Sequence, residues 1–127
     1  MTASDEYTQY VLEQLQPVLA VNTRRFFGGV GIFYGARHFA MIMGNSLYLA
    51  VDDESRPRYE KAGMGPFSYR TKKGIIKVRK YYELPEEILT DPVELKVWAR
   101  ESIRVADKTR KKKSKSKSPR RVKKSTR

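Results

Sequence analysis

The segment RRFFGGVGIFYGARHFA, residues 24–40, crowds three glycines into GGVG and holds the chain's single histidine, His38. Glycines so spaced can cradle a phosphate. A Walker-type loop, however, needs a lysine and a hydroxyl directly after its last glycine, to reach phosphate oxygens and Mg²⁺. Here Gly31 is followed by Ile32 and Phe33. The dinucleotide version needs strand, glycines and helix in that order, whereas this segment leaves its glycines into a second strand-forming run. Gly28, Gly29 and Gly31 therefore read as a tight turn or bulge where aromatic strands crowd together. His38 has the chemistry of a general base, but it lies in an apolar run with no nucleophile nearby and reads as a half-buried, hydrogen-bonded structural residue. Asp52-Asp53-Glu54 and Glu86-Glu87 stand at expected helix starts, where the helix dipole favours carboxylates, and no further ligands converge to complete a metal site. The sequence assigns no catalytic, cofactor-binding or metal residue, and the chain reads as a non-enzyme with no cofactor.

Its basic residues offer a different chemistry. The C-terminal stretch KTRKKKSKSKSPRRVKKSTR holds Lys108, Arg110, Lys111, Lys112, Lys113, Lys115, Lys117, Arg120, Arg121, Lys123, Lys124 and Arg127, with no acidic residue. Such a run gains affinity by displacing counterions from nucleic-acid phosphates without reading sequence, DNA ahead of RNA. Ser118-Pro119-Arg120-Arg121 resembles the Ser-Pro-basic-basic elements of linker-histone tails. The plainer reading is a solubilising appendage. A secondary contact is open to Arg70, Lys72, Lys73, Lys77, Arg79 and Lys80, with Tyr69, Tyr81 and Tyr82 interleaved. Charge for backbone and rings for stacking is the recipe of single-strand binding, but lysine-rich strands also guard sheet edges, and protection of a sheet edge is the favoured reading of this strand pair. Arg24 and Arg25 could grip an acidic partner or a phosphate, but the favoured expectation is that one pairs with a carboxylate of the domain and the other is solvated.

The elements that must position these residues follow from periodicity. Ser4 reads as the cap of a helix with Tyr7, Val11, Leu15 and Val18 on one stripe, ending near Gln16 before Pro17. Short aromatic and β-branched runs then give an antiparallel meander through Val51, with Gly44-Asn45 as a hairpin turn. Phe39, Met41 and Met43 alternate with His38, Ala40 and Ile42, so both faces of that strand are apolar and helices are expected on both. Asp52, Asp53 or Ser55 caps a second helix with Pro57 in or near its first turn, and that helix stops at Gly63. Strands follow at 67–70 and 75–82. Asp91-Pro92-Val93-Glu94 then caps a last helix that faces the core with Leu95, Trp98, Ala99 and Ser102.

Residues 1–107 carry 15 Lys/Arg against 14 Asp/Glu, so nearly all of the +13 net charge sits on residues 108–127. That stretch has almost nothing to bury and is expected to be disordered. The absence of cysteine excludes disulfides and thiolate chemistry. Neither a signal segment nor an apolar run of membrane-spanning length is visible, so the expected setting is the cytoplasm.

The stretches TRRFFGGVGIFYGARHFAMIMGNSLYLAVDD, AGMGPFSY and YYELPEEILTDPVELKVWA resemble the N-terminal domain of the TfoX/Sxy competence regulators over residues 5–107. The resemblance implies an α+β domain without assigned catalytic residues, found in proteins linked to DNA uptake and transcription of competence genes. Full-length regulators of that family carry a further helical domain where this chain has its basic segment. The expectation is therefore an α+β domain at 1–107, an antiparallel meander flanked by N-terminal, middle and C-terminal helices, then a disordered tail at 108–127. Its expected role is a regulatory or accessory module that binds nucleic acid through the tail. The alternative is a protein-interaction module, bound by a regulator protein, to which the tail is incidental.

Overall fold

A computed structural model describes residues 4–26 and 28–117, with side chains placed through Thr109. Helix α1 (Asp5–Leu15) begins where Ser4 accepts a hydrogen bond from the Tyr7 N–H and ends at Gln16, ahead of Pro17. Six strands follow, interrupted by short helices: β1 (Asn22–Phe26), β2 (Gly29–Tyr34), β3 (Arg37–Met43), β4 (Ser46–Ala50), α2 (Arg56–Lys61), β5 (Pro66–Thr71), β6 (Gly74–Glu83), α3 (Glu86–Leu89) and α4 (Pro92–Lys117). They form one antiparallel sheet in the order β1-β2-β3-β4-β6-β5. The fold is α+β.

The register sorts the sheet into two faces. Ile32 pairs with Ala40, Ala40 with Leu49 and Leu49 with Tyr82, while Val30, Ile42 and Leu47 form the adjacent row. This face makes the core with Val11 and Leu15 of α1, Tyr59 of α2, Leu89 of α3 and Leu95, Trp98 and Ala99 of α4. Leu95, Trp98, Ala99 and Ser102 are all buried, as their spacing required. Ser102 adds a polar tie: its hydroxyl donates to the Ala50 carbonyl at 2.8 Å and lies 3.5 Å from the Tyr59 hydroxyl.

On the other face lie Gly31, Met41, Tyr48 and Glu83, in register. Here the expectation of helices on both sides fails. The buried side chains of the four helices gather on the first face, and this one is closed by its own rings. His38 stacks on Phe33 at 4.6 Å and meets Phe26 and Tyr81 edge-on or tilted; Tyr48 meets Phe67, which meets Tyr69. Large rings packed against one another cover the sheet without a second layer.

Strict alternation along β3 also breaks. Ile32 pairs with Ala40 but Phe33 pairs with His38, which leaves Phe39 as the extra residue of a bulge. A bulge re-aims side chains, and Phe39 and Ala40 both enter the core while His38 stays on the ring-covered face. The glycines make this packing possible. Gly28 takes the turn with φ 80°. A Cβ on Gly29 would sit 2.2 Å from the Met43 sulfur and 2.8 Å from the Ile42 carbonyl oxygen, and one on Gly31 would sit 3.1 Å from His38 Nε2. The GGVG segment is a turn followed by a strand, with two positions kept bare for side chains that lie across them.

Candidate nucleic-acid interface

The last helix starts as the sequence required: the Asp91 carboxylate accepts from the N–H groups of Val93 and Glu94. It does not stop at Asp107. Its backbone continues to Lys117, because lysine, arginine and serine run without proline until Pro119, and the long basic side chains are good helix formers. Cations near a helix C-terminus also complement its dipole. The expected boundary at 107/108 thus falls inside α4, and ten residues of the stretch expected to be disordered have helical backbone. Of the phosphate contacts expected in the tail, the side chains of Arg110, Lys111, Lys112, Lys113, Lys115, Lys117, Arg120, Arg121, Lys123, Lys124 and Arg127 lie outside the described residues.

Lys108 is described, and it faces the domain. Its ammonium lies 3.1 Å from Asp52 and 3.8 Å from Glu54. Asp52 is a junction: its Oδ1 accepts from the N–H groups of Glu54 and Ser55, and its own N–H donates to the Ser55 hydroxyl. Partial burial opposes ionisation there, but the Ser55 N–H, the Lys108 ammonium and the Ser55 hydroxyl outweigh it and bring the Asp52 pKa down to about 2. At the next residue, Thr109 returns its hydroxyl to the Val105 carbonyl. The end of the domain is pinned to the loop before α2 by this ion pair.

The secondary basic group divides in space. On the β5–β6 hairpin Ser68 pairs with Lys77 and Arg70 with Ile75, which puts Arg70 and Lys77 on one side. Tyr69 pairs with Ile76 and Phe67 with Val78, which puts the rings on the other. Period-2 geometry separates what adjacency in sequence suggested was one surface. Lys72 and Lys73 sit exposed at the turn, where the Lys73 N–H donates to the Thr71 hydroxyl. Arg79 lies 3.8 Å from Glu60, and Lys80 borders a cleft with Tyr81. Tyr82 faces the helices and donates to Glu60. Arg25 pairs with Asp5 at 2.7 Å, and Arg24 stands exposed 5.2 Å from the centre of the Phe33 ring.

The cleft beside Lys80 has a volume of about 590 Å³ and lies among Arg37, His38, Asp52, Arg56, Tyr81 and Thr109. Two of its cations are engaged, Arg37 with Asp107 at 2.9 Å and Arg56 with Asp53 at 2.7 Å, while Lys80 has no carboxylate within 4 Å among the described residues. His38 borders it, yet its Nε2 turns inward over Gly31 and is buried without a hydrogen-bond partner. Desolvation lowers the His38 pKa, with a backbone hydrogen bond to Ala40 acting against it. The ring is half-buried among aromatics as expected, but the hydrogen bond expected of it is missing at Nε2. Among the described residues no group of three or more histidines and carboxylates is placed to hold a metal ion, and no helix is long and apolar enough to cross a membrane.

Sequence reasoning missed a second basic row. Lys96, Arg100 and Arg104 are exposed along α4, and the signal was legible as an i, i+4, i+8 repeat of cations within a helix already identified.

No curated protein matches the chain. The model of the TfoX N-terminal domain matches residues 13–106, which takes in every strand of the sheet and α4 as far as Ala106. The resemblance read from RRFFGG, YYELP and VWA is thereby met by sheet and helices in one unit, and the chain belongs to the TfoX N-terminal domain family.

Proposed function

We propose that this protein is a non-catalytic regulatory or accessory module of the cytoplasm, and that its basic C-terminal segment holds it on nucleic acid, DNA ahead of RNA, through phosphate contacts without sequence readout. The observation that carries the reading is the concentration of twelve cations and no acid in residues 108–127, attached to a domain close to neutral. Counterion release makes such a segment an anchor at moderate salt. Family membership supports the regulatory half of the reading.

A salt titration of binding to a short DNA duplex tests it. The comparison is the full chain against a full-length variant with the Lys and Arg of residues 110–127 replaced by glutamine, since a cut at Asp107 would sever α4. With Lys108 engaged, eleven tail cations remain, so the log–log slope should fall between about −5 and −10, at roughly −0.9 per phosphate. The neutralised variant should lose most of it. Equal slopes would move the contact to the domain, and no binding by either chain would remove the anchor.

A second reading is favoured by one feature, the ring-covered face of the sheet. Phe26, Phe33, Tyr48, Phe67 and Tyr81 are only half-buried there, as suits a surface that receives a protein regulator. Partner binding that survives neutralisation of the tail would select this reading.

A further inference from the structure

We propose that Lys96, Arg100 and Arg104 form a phosphate-binding row for duplex nucleic acid, so that the contact begins on the folded domain and runs along α4 into the basic segment. The inference rests on the anchor reading above and adds a site to it. The three residues recur every fourth position on the exposed side of α4. At 1.5 Å per residue they span about 12 Å, a length over which one strand of B-form DNA presents three or four phosphates at its 3.4 Å rise.

Freedom from a carboxylate is shared by these cations with Arg24, Lys61, Arg70, Lys72, Lys73, Lys77 and Lys80 among the described residues, and what sets them apart is their alignment on one rigid helix. Arg25, Arg37, Arg56, Arg58 and Arg79 each have a carboxylate within 4 Å, as does Lys108. Lys96, Arg100 and Arg104 have none among the described residues. The acids of α4 do not interrupt the row: Glu94 lies at the helix start, Glu101 is held by Arg58 and Asp107 by Arg37. Arg100 and Arg104 also share a shallow hollow with Leu19, Tyr34, Ile103 and the Arg37–Asp107 ion pair. Apolar stems resting in such a hollow hold their guanidinium heads toward solvent. A row of unneutralised cations on a rigid element is complementary to a polyanion of regular spacing.

The test uses the full chain and a labelled 20-base-pair duplex, read by fluorescence anisotropy across a salt series. K96Q/R100Q/R104Q is compared with K111Q/K112Q/K113Q, which removes the same charge from the basic segment. The row variant should make the slope shallower by about 2.7, as three lost phosphate contacts require, and R100K/R104K should keep the wild-type slope. A measurement on the unaltered protein guards against misfolding of the variants: acetylation of Lys96, mapped by mass spectrometry, should be suppressed by the duplex while that of exposed Lys61 is not. If the row variant keeps the wild-type slope while the segment variant loses its share, or if Lys96 is acetylated equally with and without duplex, the row is not a contact and the anchor reading stands alone. If the wild-type chain does not bind duplex at all, both fail together.

Discussion

Substituting Asp52 by asparagine removes the charge that joins the loop before α2 to the end of the domain. The structure sets the size of the effect. Asp52 is held at about 2 against an ordinary carboxylate value of 3.8, which at 1.36 kcal/mol per pKa unit is at most ~2.5 kcal/mol. Solvent reaches 21% of its side chain and 52% of that of Lys108, so screening brings the expectation to about 1–2 kcal/mol. In a domain this size that lowers Tm by roughly 5–10 °C. The pH dependence follows from the direction. A carboxylate with a depressed folded pKa stabilises fully above its unfolded value, near 4, and the stabilisation is lost as pH falls toward about 2. Wild type and Asp52→Asn should therefore differ most at pH 5–7 and converge between pH 4 and pH 2, followed by thermal melts read by circular dichroism. Lys108→Met alone should give a smaller loss, and the double variant less than the sum of the two. Equal Tm values for wild type and Asp52→Asn at pH 7, or a difference that persists unchanged to pH 2, would refute the ion-pair account.

Three further outcomes follow from the packing. Gly29→Ala places a methyl group 2.8 Å from the Ile42 carbonyl oxygen and closer still to the Met43 sulfur, and should cost about 1–3 kcal/mol in urea unfolding. Ser102→Ala leaves the buried Ala50 carbonyl without its 2.8 Å donor; a loss of roughly 1–3 kcal/mol is expected, measured the same way. His38 should titrate by NMR with a midpoint below the ordinary 6.5. Because its neutral form is the one the fold favours, its contribution is complete above pH 6.5 and declines as pH falls below that.

Much of this fold was legible because its punctuation is local. Ser4, Gly44-Asn45, Gly63 and Asp91-Pro92 each mark a boundary through their own backbone preferences, and each does so in the structure. What escaped was set by contacts far apart in sequence. An apolar strand looks the same whether a helix or a neighbour's aromatic ring covers it, so the one-sided placement of the helices could not be read from Phe39 to Met43. The bulge at Phe39 depends on where β2 ends its pairing. The site was read less well. Alternating Tyr69 and Arg70 suggested one mixed surface where strand geometry makes two, and the pairing of Lys108 depends on Asp52, 56 residues away.

The strand order has a kinetic meaning as well. Four of the five strand pairings join neighbours in sequence, and each closes a short loop. Only β4 and β6 meet across a long connection, through Tyr48–Glu83, Leu49–Tyr82 and Ala50–Tyr81. Pairings between adjacent strands cost little chain entropy to start, and distant ones cost more. The β1–β4 meander and the β5–β6 hairpin should each zip early, and their docking along three residue pairs should set the pace of folding. The same narrow seam is where the sheet should part first. Amides of the distal hairpin, 67–78, should exchange with solvent through a smaller opening than those of β2 and β3, which makes the hairpin a cooperative unit of its own within a single sheet.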